Sequence, residues 1–378
     1  MPPGIDRRTF LARGAAGLGG LVLAGCGVPS PREPSGPRSL VPPASPRAFV
    51  PVRISRDRIV RTQVGLRPYR DAGFVVRGER LAGKVVIHNY GHGGGGLSLS
   101  WGSSALAVAE AVDTTEADHF AVIGAGVMGL TTALLLHERG RRATIYARDL
   151  PPRTTSNVAA GQWSPFSVFN RDAASPSFLS SFDRAARIAH RRFDRMSGPR
   201  YGIRWLDNYV LAASPEPRDR GGLEDLFGGE EILGPGEHPF DSPWVRRFRT
   251  MLIEPDRLLA ELQRDFLLRG GRIQVREFRD RSELTALPEP VIMNCTGLGS
   301  RDLFGDRELT PIKGELVILE PQPQVDYLLQ AGGFYMFPRR DGVVLGGSFE
   351  RGEWSLEPSP GVVERILEGN RVMFEGMG

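Results

Sequence analysis

Cysteine is nearly absent from this chain of 378 residues: there are two, Cys26 and Cys295. Six histidines supply only one close pair, His88 and His92, so no metal site with ordinary ligand spacing can be built from local sequence, and none is expected. Lysine is equally scarce, at Lys84 and Lys313, and arginine carries the remaining basic charge. Net charge is +4, no run of five like charges occurs, and few aromatic residues lie among the basic ones, a pattern that argues against a nucleic-acid groove. What the chain does have is glycine, 47 residues of it, and a 40% apolar content that can bury one large or two ordinary cores. The expectation is an enzyme of two domains whose chemistry belongs to an organic cofactor.

The opening stretch, residues 1–26, reads "MPPGIDRRTFLARGAAGLGGLVLAGC". Its apolar part after Arg13 is shorter than the roughly 20 residues that span a bilayer, so it reads as an export signal rather than an anchor helix. "RRTFL" resembles a twin-arginine signal and "LAGC" a lipobox, whose cysteine is lipidated after cleavage; the alternative is a buried helix with a core cysteine. On the first reading the protein is exported to the cell envelope and held outside the cytoplasmic membrane by lipid on Cys26. Cys295 then remains as a lone thiol, and no internal disulfide can form. Residues 27–53 hold eight prolines among Ser, Gly and Arg with no hydrophobic period, which makes them an extended tether.

Two glycine-rich turns follow, each between a strand-like and a helix-like run. "KVVIHNY" leads into "GHGGGGLSLS" and the helical "SSALAVAEAV"; after a polar break, "DTTEAD" at 113–118, "HFAVIG" leads into the helical "VMGLTTALLLHERG" and a second strand, "RRATIYAR". Further on, "DRLLAELQRDFLLRGG" sets Leu258, Leu259, Leu262, Phe266 and Leu267 on one helical face before a glycine stop, and "PVIMNCTGLG" is a strand running into another glycine turn.

The second turn, "GAGVMG", places Gly124, Gly126 and Gly129 in a G-x-G-x-x-G frame with Val127 and Met128 between them, after a strand and before a helix. Glycines there let the backbone approach a diphosphate, whose charge rests on the amides at the helix N-terminus. An acid is expected about 20 residues on, to hold a ribose hydroxyl. The chain offers Arg148 with Asp149 beside it, so either the arginine meets a phosphorylated ribose, as for NADP, or Asp149 takes the ribose. The next stretch, "LPPRTTSNVAAGQWSPF" at 150–166, is a Thr/Ser/Gly-rich loop where a nicotinamide enzyme normally continues into a helix. FAD fits it better.

Here the chain resembles the D-amino-acid oxidase family, whose members carry "TT-S/T-x-VAAG-x-W" after the second strand. The likeness extends to "NCTGLGSRDLFGD" at 294–306, "TPIKGELVIL" at 310–319 and "GFYMFPRRDGVVLGGSFERGEW" at 333–354. In that family "GLRP" and "VIHNYGHGG-x-GL" form a carboxy-terminal signature. In this chain they come first, and the chain ends where that signature would follow. The order looks like a circular permutation, with "DTTEAD" joining the old ends; a misassembled gene, or a first segment that docks on another copy, are the rivals.

The resemblance implies an α/β fold, a doubly wound Rossmann-type FAD domain (64–167 and 249–312) plus an antiparallel-sheet substrate domain (54–63, 168–248 and 313–378). It implies oxidation of D-amino acids by FAD and oxygen to 2-oxo acids, ammonia and hydrogen peroxide. Arg67 of "GLRP" would bind the substrate carboxylate, Tyr335 of "FYMFP" would add its hydroxyl, and the Gly94 carbonyl would hold the amine. FAD would lie against Gly93, Gly95, Gly96, Leu97, Ser98, the "GAGVMG" residues, Arg148, Asp149, Thr154, Thr155, Ser156, Gly161, Gln162 and Gly297. His88 and His92 would be structural or flavin-supporting. The chain departs from the pattern at Ala331 and Gly95, where aromatic residues are common, and at Lys313 and Glu315, where arginine and glutamine are. The other readings are a flavin oxidase or dehydrogenase of glycine-like or N-methylated amines, a flavin-binding lipoprotein without turnover, and, resting on Arg148 alone, an NADP-dependent reductase.

Overall fold

Eleven residues, nearly all half-buried, form β1 (Ile59–Tyr69), and a tight turn with Ala82 and Gly83 at positive φ then joins β2 (Val75–Leu81) to β3 (Lys84–Tyr90) as a hairpin. These coordinates are a computed structural model and describe residues 49–377; the export signal, Cys26 and the tether up to Ala48 lie outside the described residues. Helix α1 (Gly96–Thr114), β4 (His119–Ile123), α2 (Val127–Glu138) and β5 (Arg142–Ala147) follow in the strand and helix alternation that the sequence predicts. After α3 (Pro176–Arg195) come β6 (Ile203–Ala212), β7 (Gly228–Leu233) and β8 (Trp244–Ile253), then α4 (Pro255–Leu268) and β9 (Arg272–Val275). Short α5 (Arg281–Thr285), β10 (Val291–Asn294) and α6 (Ser300–Leu303) precede a run of strands. These are β11 (Thr310–Leu319), β12 (Tyr327–Ala331), β13 (Phe334–Arg339), β14 (Gly342–Gly346) and β15 (Glu350–Arg351), and α7 (Pro360–Val372) closes the set.

Two sheets result. The six-stranded one runs β2-β3-β10-β4-β5-β9, parallel throughout except for β2, and its central strands are buried on both faces. That explains why "KVVIHNY", "FAVI" and "VIMN" read as continuous apolar runs. Helices α1, α2 and α3 cover one face and Leu284, Leu287, Phe278 and Phe304 the other, so this layer is doubly wound. Small residues set the helix spacing: a Cβ on Gly102 of α1 would stand 1.8 Å from the Ala185 carbonyl oxygen of α3. Between α1 and α2, Ser104 hydrogen-bonds Thr131 and Thr132.

The nine-stranded sheet runs β1-β11-β14-β13-β12-β6-β8-β7, with β15 beside β11. It is antiparallel except for the β12–β6 pair, which is parallel. One face carries α7 over Tyr209, Val317, Tyr327 and Leu329; the other presents Leu206, Leu316, Leu328 and Phe337 to Val158 and Ala160. Sheet membership redraws the boundaries expected from sequence. Residues 64–69, 249–253 and 310–312, assigned to the cofactor domain, belong to β1, β8 and β11 of this sheet, while α3, assigned to the substrate domain, packs on α1. On α4, Leu258, Leu259, Leu262 and Phe266 are buried as predicted, but Leu267 turns outward at 46% exposure.

Candidate active site

Every glycine turn singled out in the sequence leaves the carboxyl end of a parallel strand. The 93–98 loop follows β3, the 124–129 loop β4, Arg148 and Asp149 follow β5, and Gly297 follows β10. In an open parallel sheet a ligand binds along this edge, where strand order reverses, and here the reversal falls between β4 and β10.

The β4 turn is closed by backbone. Gly124 has φ +110°, and a Cβ there would meet the Cys295 carbonyl oxygen at 2.5 Å; one on Gly129 would meet the Gly124 oxygen at 1.9 Å. The Val127 amide donates to Ser156 Oγ at 3.0 Å, so the 154–158 loop lies on the N-terminus of α2, where an anionic group would be held. Thr154 Oγ1 donates to Asn157 Oδ1 (2.7 Å), and Asn157 Nδ2 donates to Asp256 Oδ1 of α4 (2.7 Å), which fixes that loop; Thr155 is exposed. Met128 and Leu97 turn their side chains into the core, leaving only backbone for a ligand. Arg148 is held by Asp149 (Nε to Oδ2, 2.7 Å) and Glu277 (3.7 Å). Gly161, at φ +112°, lets the chain approach the Ile253 carbonyl oxygen, 2.2 Å from where a Cβ would stand. Bare backbone at a helix N-terminus beside a hydroxyl-rich loop fits the diphosphate of a dinucleotide.

The β3 turn meets the other sheet. Gly94, exposed, donates its amide to the Ser167 carbonyl at 2.9 Å, and its Cβ position lies 3.7 Å from Arg67 Cδ. Gly93 and Gly95 pack on 166–168, and Ser98 Oγ accepts from the Ser164 amide at 2.8 Å. Ser167 itself holds φ +58°, the left-handed region that a non-glycine residue enters at a cost. Arg67 lies on β1 opposite Ile312, and its guanidinium covers Gly314: a Cβ there would be 2.3 Å from Nη2. Tyr335, half-buried on β13, covers Gly346 in the same way, its hydroxyl 2.3 Å from that Cβ position. Burial raises the Tyr335 phenol pKa, and the neighbouring Arg67 pulls it back. Nη1 of Arg67 donates to the Ser348 carbonyl at 3.4 Å, and a Cβ on Gly297 would stand 3.9 Å from Pro68 Cγ.

Comparison of the chain with known proteins gives its family. A family described as "DAO: FAD dependent oxidoreductase" matches residues 119–377. The chain belongs to that family of FAD-dependent oxidoreductases. It is 33% identical over 258 residues to a D-amino-acid oxidase of Streptomyces coelicolor, covering 65% of this chain and 74% of that one. It is 28% identical over 279 residues to a D-amino acid oxidase of Dugesia ryukyuensis, covering 68% and 78%. The fold is shared with the glycine oxidase of Geobacillus kaustophilus (TM-score 0.52, 21% identity, 68% of this chain and 78% of that one). As a FAD-dependent oxidoreductase the chain uses FAD, and the nicotinamide alternative that rested on Arg148 falls away.

The family match begins at His119, so it leaves out β1, β3 and α1, yet these supply Arg67 and the 93–98 loop. Neither histidine of "IHNYGH" is poised for proton transfer. Burial lowers His92, stacked on Phe74 at 4.7 Å, to about 3. His88, lowered to about 4 by burial against the opposing pull of Glu79, meets Asn294 Nδ2 at 2.9 Å through Nδ1. Both are buried. The sequence reading missed Gly314, Gly346 and Ser348, which clear or steady the Arg67 and Tyr335 side chains, and Ser167, which steadies the Gly94 turn. The glycines of "KGE" and "LGG" were the available signal; the roles of Ser348 and Ser167 depend on backbone atoms and left none.

Proposed function

We propose that this chain is a FAD-dependent D-amino-acid oxidase, converting a D-amino acid, oxygen and water to a 2-oxo acid, ammonia and hydrogen peroxide. The observation that carries the reading is Arg67 beside Tyr335 over Gly314 and Gly346, next to the Gly94 loop. A planar guanidinium pairs a carboxylate through two parallel N–H donors, and the Tyr335 hydroxyl adds a third. The Ser348 carbonyl and the β1–β11 ladder hold Arg67 in place for it. The Gly94 carbonyl accepts from the substrate amine, and fixing amine and carboxylate together distinguishes the enantiomers at the α-carbon. FAD held there would supply the acceptor for the α-hydrogen as hydride and the path of its electrons to oxygen. No side chain has to remove that hydrogen as a proton, in keeping with neutral His88 and His92. Water then hydrolyses the imino acid and releases ammonia. The "GAGVMG" turn with Ser156, Thr154, Thr155, Arg148, Asp149 and Gly161 would hold FAD, whereas the Gln162 side chain, expected there as well, is turned to Gln330 and Asn208.

The test is the visible spectrum of the purified protein without oxygen, before and after D-alanine, D-proline or D-aspartate. Bleaching by a D-isomer and not its L-isomer supports the reading; a flavin band that none of them bleaches moves it to another amine or to a binding role.

The same reading includes a circular permutation. Its support is that β1 and β3, outside the family match, complete both sheets, and that Phe49 and Met377 join one apolar cluster with α7. A chain re-linked as 119–377 followed by 49–118 is expected to bind flavin with the same spectrum. Export and a lipid on Cys26 are the proposed setting; loss of membrane association in Cys26→Ser tests them.

A further inference from the structure

The sheet face that carries Tyr335 continues into polar side chains to which the reaction gives no role. Tyr335 stands opposite Gly346 on one side and Gln330 on the other, so all three share a face. Leu328, two residues before Gln330, joins Tyr335 in the same apolar cluster, while Tyr327 and Leu329 face α7. On β6, Asn208 stands beside Leu328. Gln162, bridged to Leu252 of β8, reaches both: Gln330 Nε2 donates to Gln162 Oε1 at 2.6 Å, and Gln162 Nε2 donates to Asn208 Oδ1 at 3.2 Å. The row ends on Asn208 Nδ2, a donor in a fully buried residue with no hydrogen-bond partner.

We infer that Gln330 and Gln162, the latter held by the buried Asn208, form the subsite for the substrate's side chain, and that it selects D-amino acids ending in a neutral carboxamide on an extended chain. The inference rests on the D-amino-acid oxidase reading. Strands lie about 4.8 Å apart, so Gln330 is two strands, about 10 Å, from Gly346 and the carboxylate held above it. A methyl side chain falls short of that distance; a glutamine side chain, met by the reach of Gln330, does not. Each carboxamide in the row both donates and accepts, so the row can meet the two ends of a ligand amide. A carboxylate would lack a counter-ion, and burying it would be expensive. Of the arginines on this face, Arg339 is paired with Asp341, and Arg204 lies four residues from Asn208 along β6, about 13 Å away, donating to the Pro338 carbonyl. Arg247 and Arg249 pair with Asp207, whose side chain points to the opposite face from Asn208.

The test measures kcat/KM of the full flavin-loaded protein for D-glutamine, D-glutamate and D-alanine. D-Glutamine is expected to exceed D-glutamate at least tenfold, and Gln330→Leu to lower the ratio of D-glutamine to D-alanine about tenfold. If Gln330→Leu loses its flavin, Gln330→Glu, which keeps the size and removes the donor, is read the same way. Turnover of D-alanine with D-glutamate equal to D-glutamine, or a variant that slows D-glutamine and D-alanine by one common factor, overturns the subsite alone. Turnover of no D-amino acid overturns the oxidase reading and the subsite with it.

Discussion

The two glycine turns look alike in sequence and differ in what crowds them. In the β4 turn the obstacles to a side chain are carbonyl oxygens, Cys295 at 2.5 Å and Gly124 at 1.9 Å, which belong to the same sheet and cannot yield. In the β3 turn they are parts of the 166–168 segment and of Arg67, and some are movable: the atom nearest a Cβ on Gly95 is the Val168 Cγ2 methyl, at 2.5 Å. The first loop is shaped by the cofactor sheet alone, the second by the meeting of two sheets. Glycine content therefore marks close backbone approach in both, and only the neighbours reveal whether the approach serves a diphosphate or a substrate.

The sharpest way to break the comparison is Gly129→Ala. Its methyl would overlap a fixed carbonyl, so the expected outcome is loss of flavin absorbance on purification and destabilisation of about 3 kcal/mol, read from thermal unfolding. Next is Arg67→Lys, at the β3 side of the site. It keeps the charge and removes the planar fork, so kcat/KM on a D-amino acid is expected to fall on the order of 100-fold with flavin retained. Tyr335→Phe removes one donor to a charged group and is expected to cost about tenfold, chiefly in KM.

The two turns also differ in their response to pH, through His92 beside the β3 turn. The folded protein holds His92 at about 3, below an unfolded value of about 6.5. The unfolded state therefore takes up the proton first, and stability is full above about pH 6.5 and is lost as pH falls toward 3. By pH 5 the loss is about 2 kcal/mol, and His92→Gln is expected to flatten it in denaturant titrations at several pH values. The smallest effect belongs to Gly95→Ala. The Val168 methyl can shift, so about 1 kcal/mol of stability and a retained flavin band are expected; loss of flavin there would erase the distinction between the turns.

The parallel sheet was legible because its signals are local: an apolar run buried on both faces, a glycine turn, then a helix, as at 119–138. Membership of β1 was not. Residues 64–69 look the same whether they join the cofactor sheet or the other one, and the choice is made by pairing with β11, some 250 residues away. Leu267 failed for a related reason, since periodicity gives a face of α4 and only the packed neighbours give its width.

By itself the sequence determined the strands, the helices, the diphosphate turn and the residue types that can hold a carboxylate, because these follow from local backbone freedom and side-chain chemistry. Only the tertiary structure decided that Arg67 and Tyr335, 268 positions apart, share one sheet face, that Gly314 and Gly346 make room for them, and that Gln330 continues the row. Those relations are set by β-sheet register, which long-range pairing fixes and no local pattern encodes.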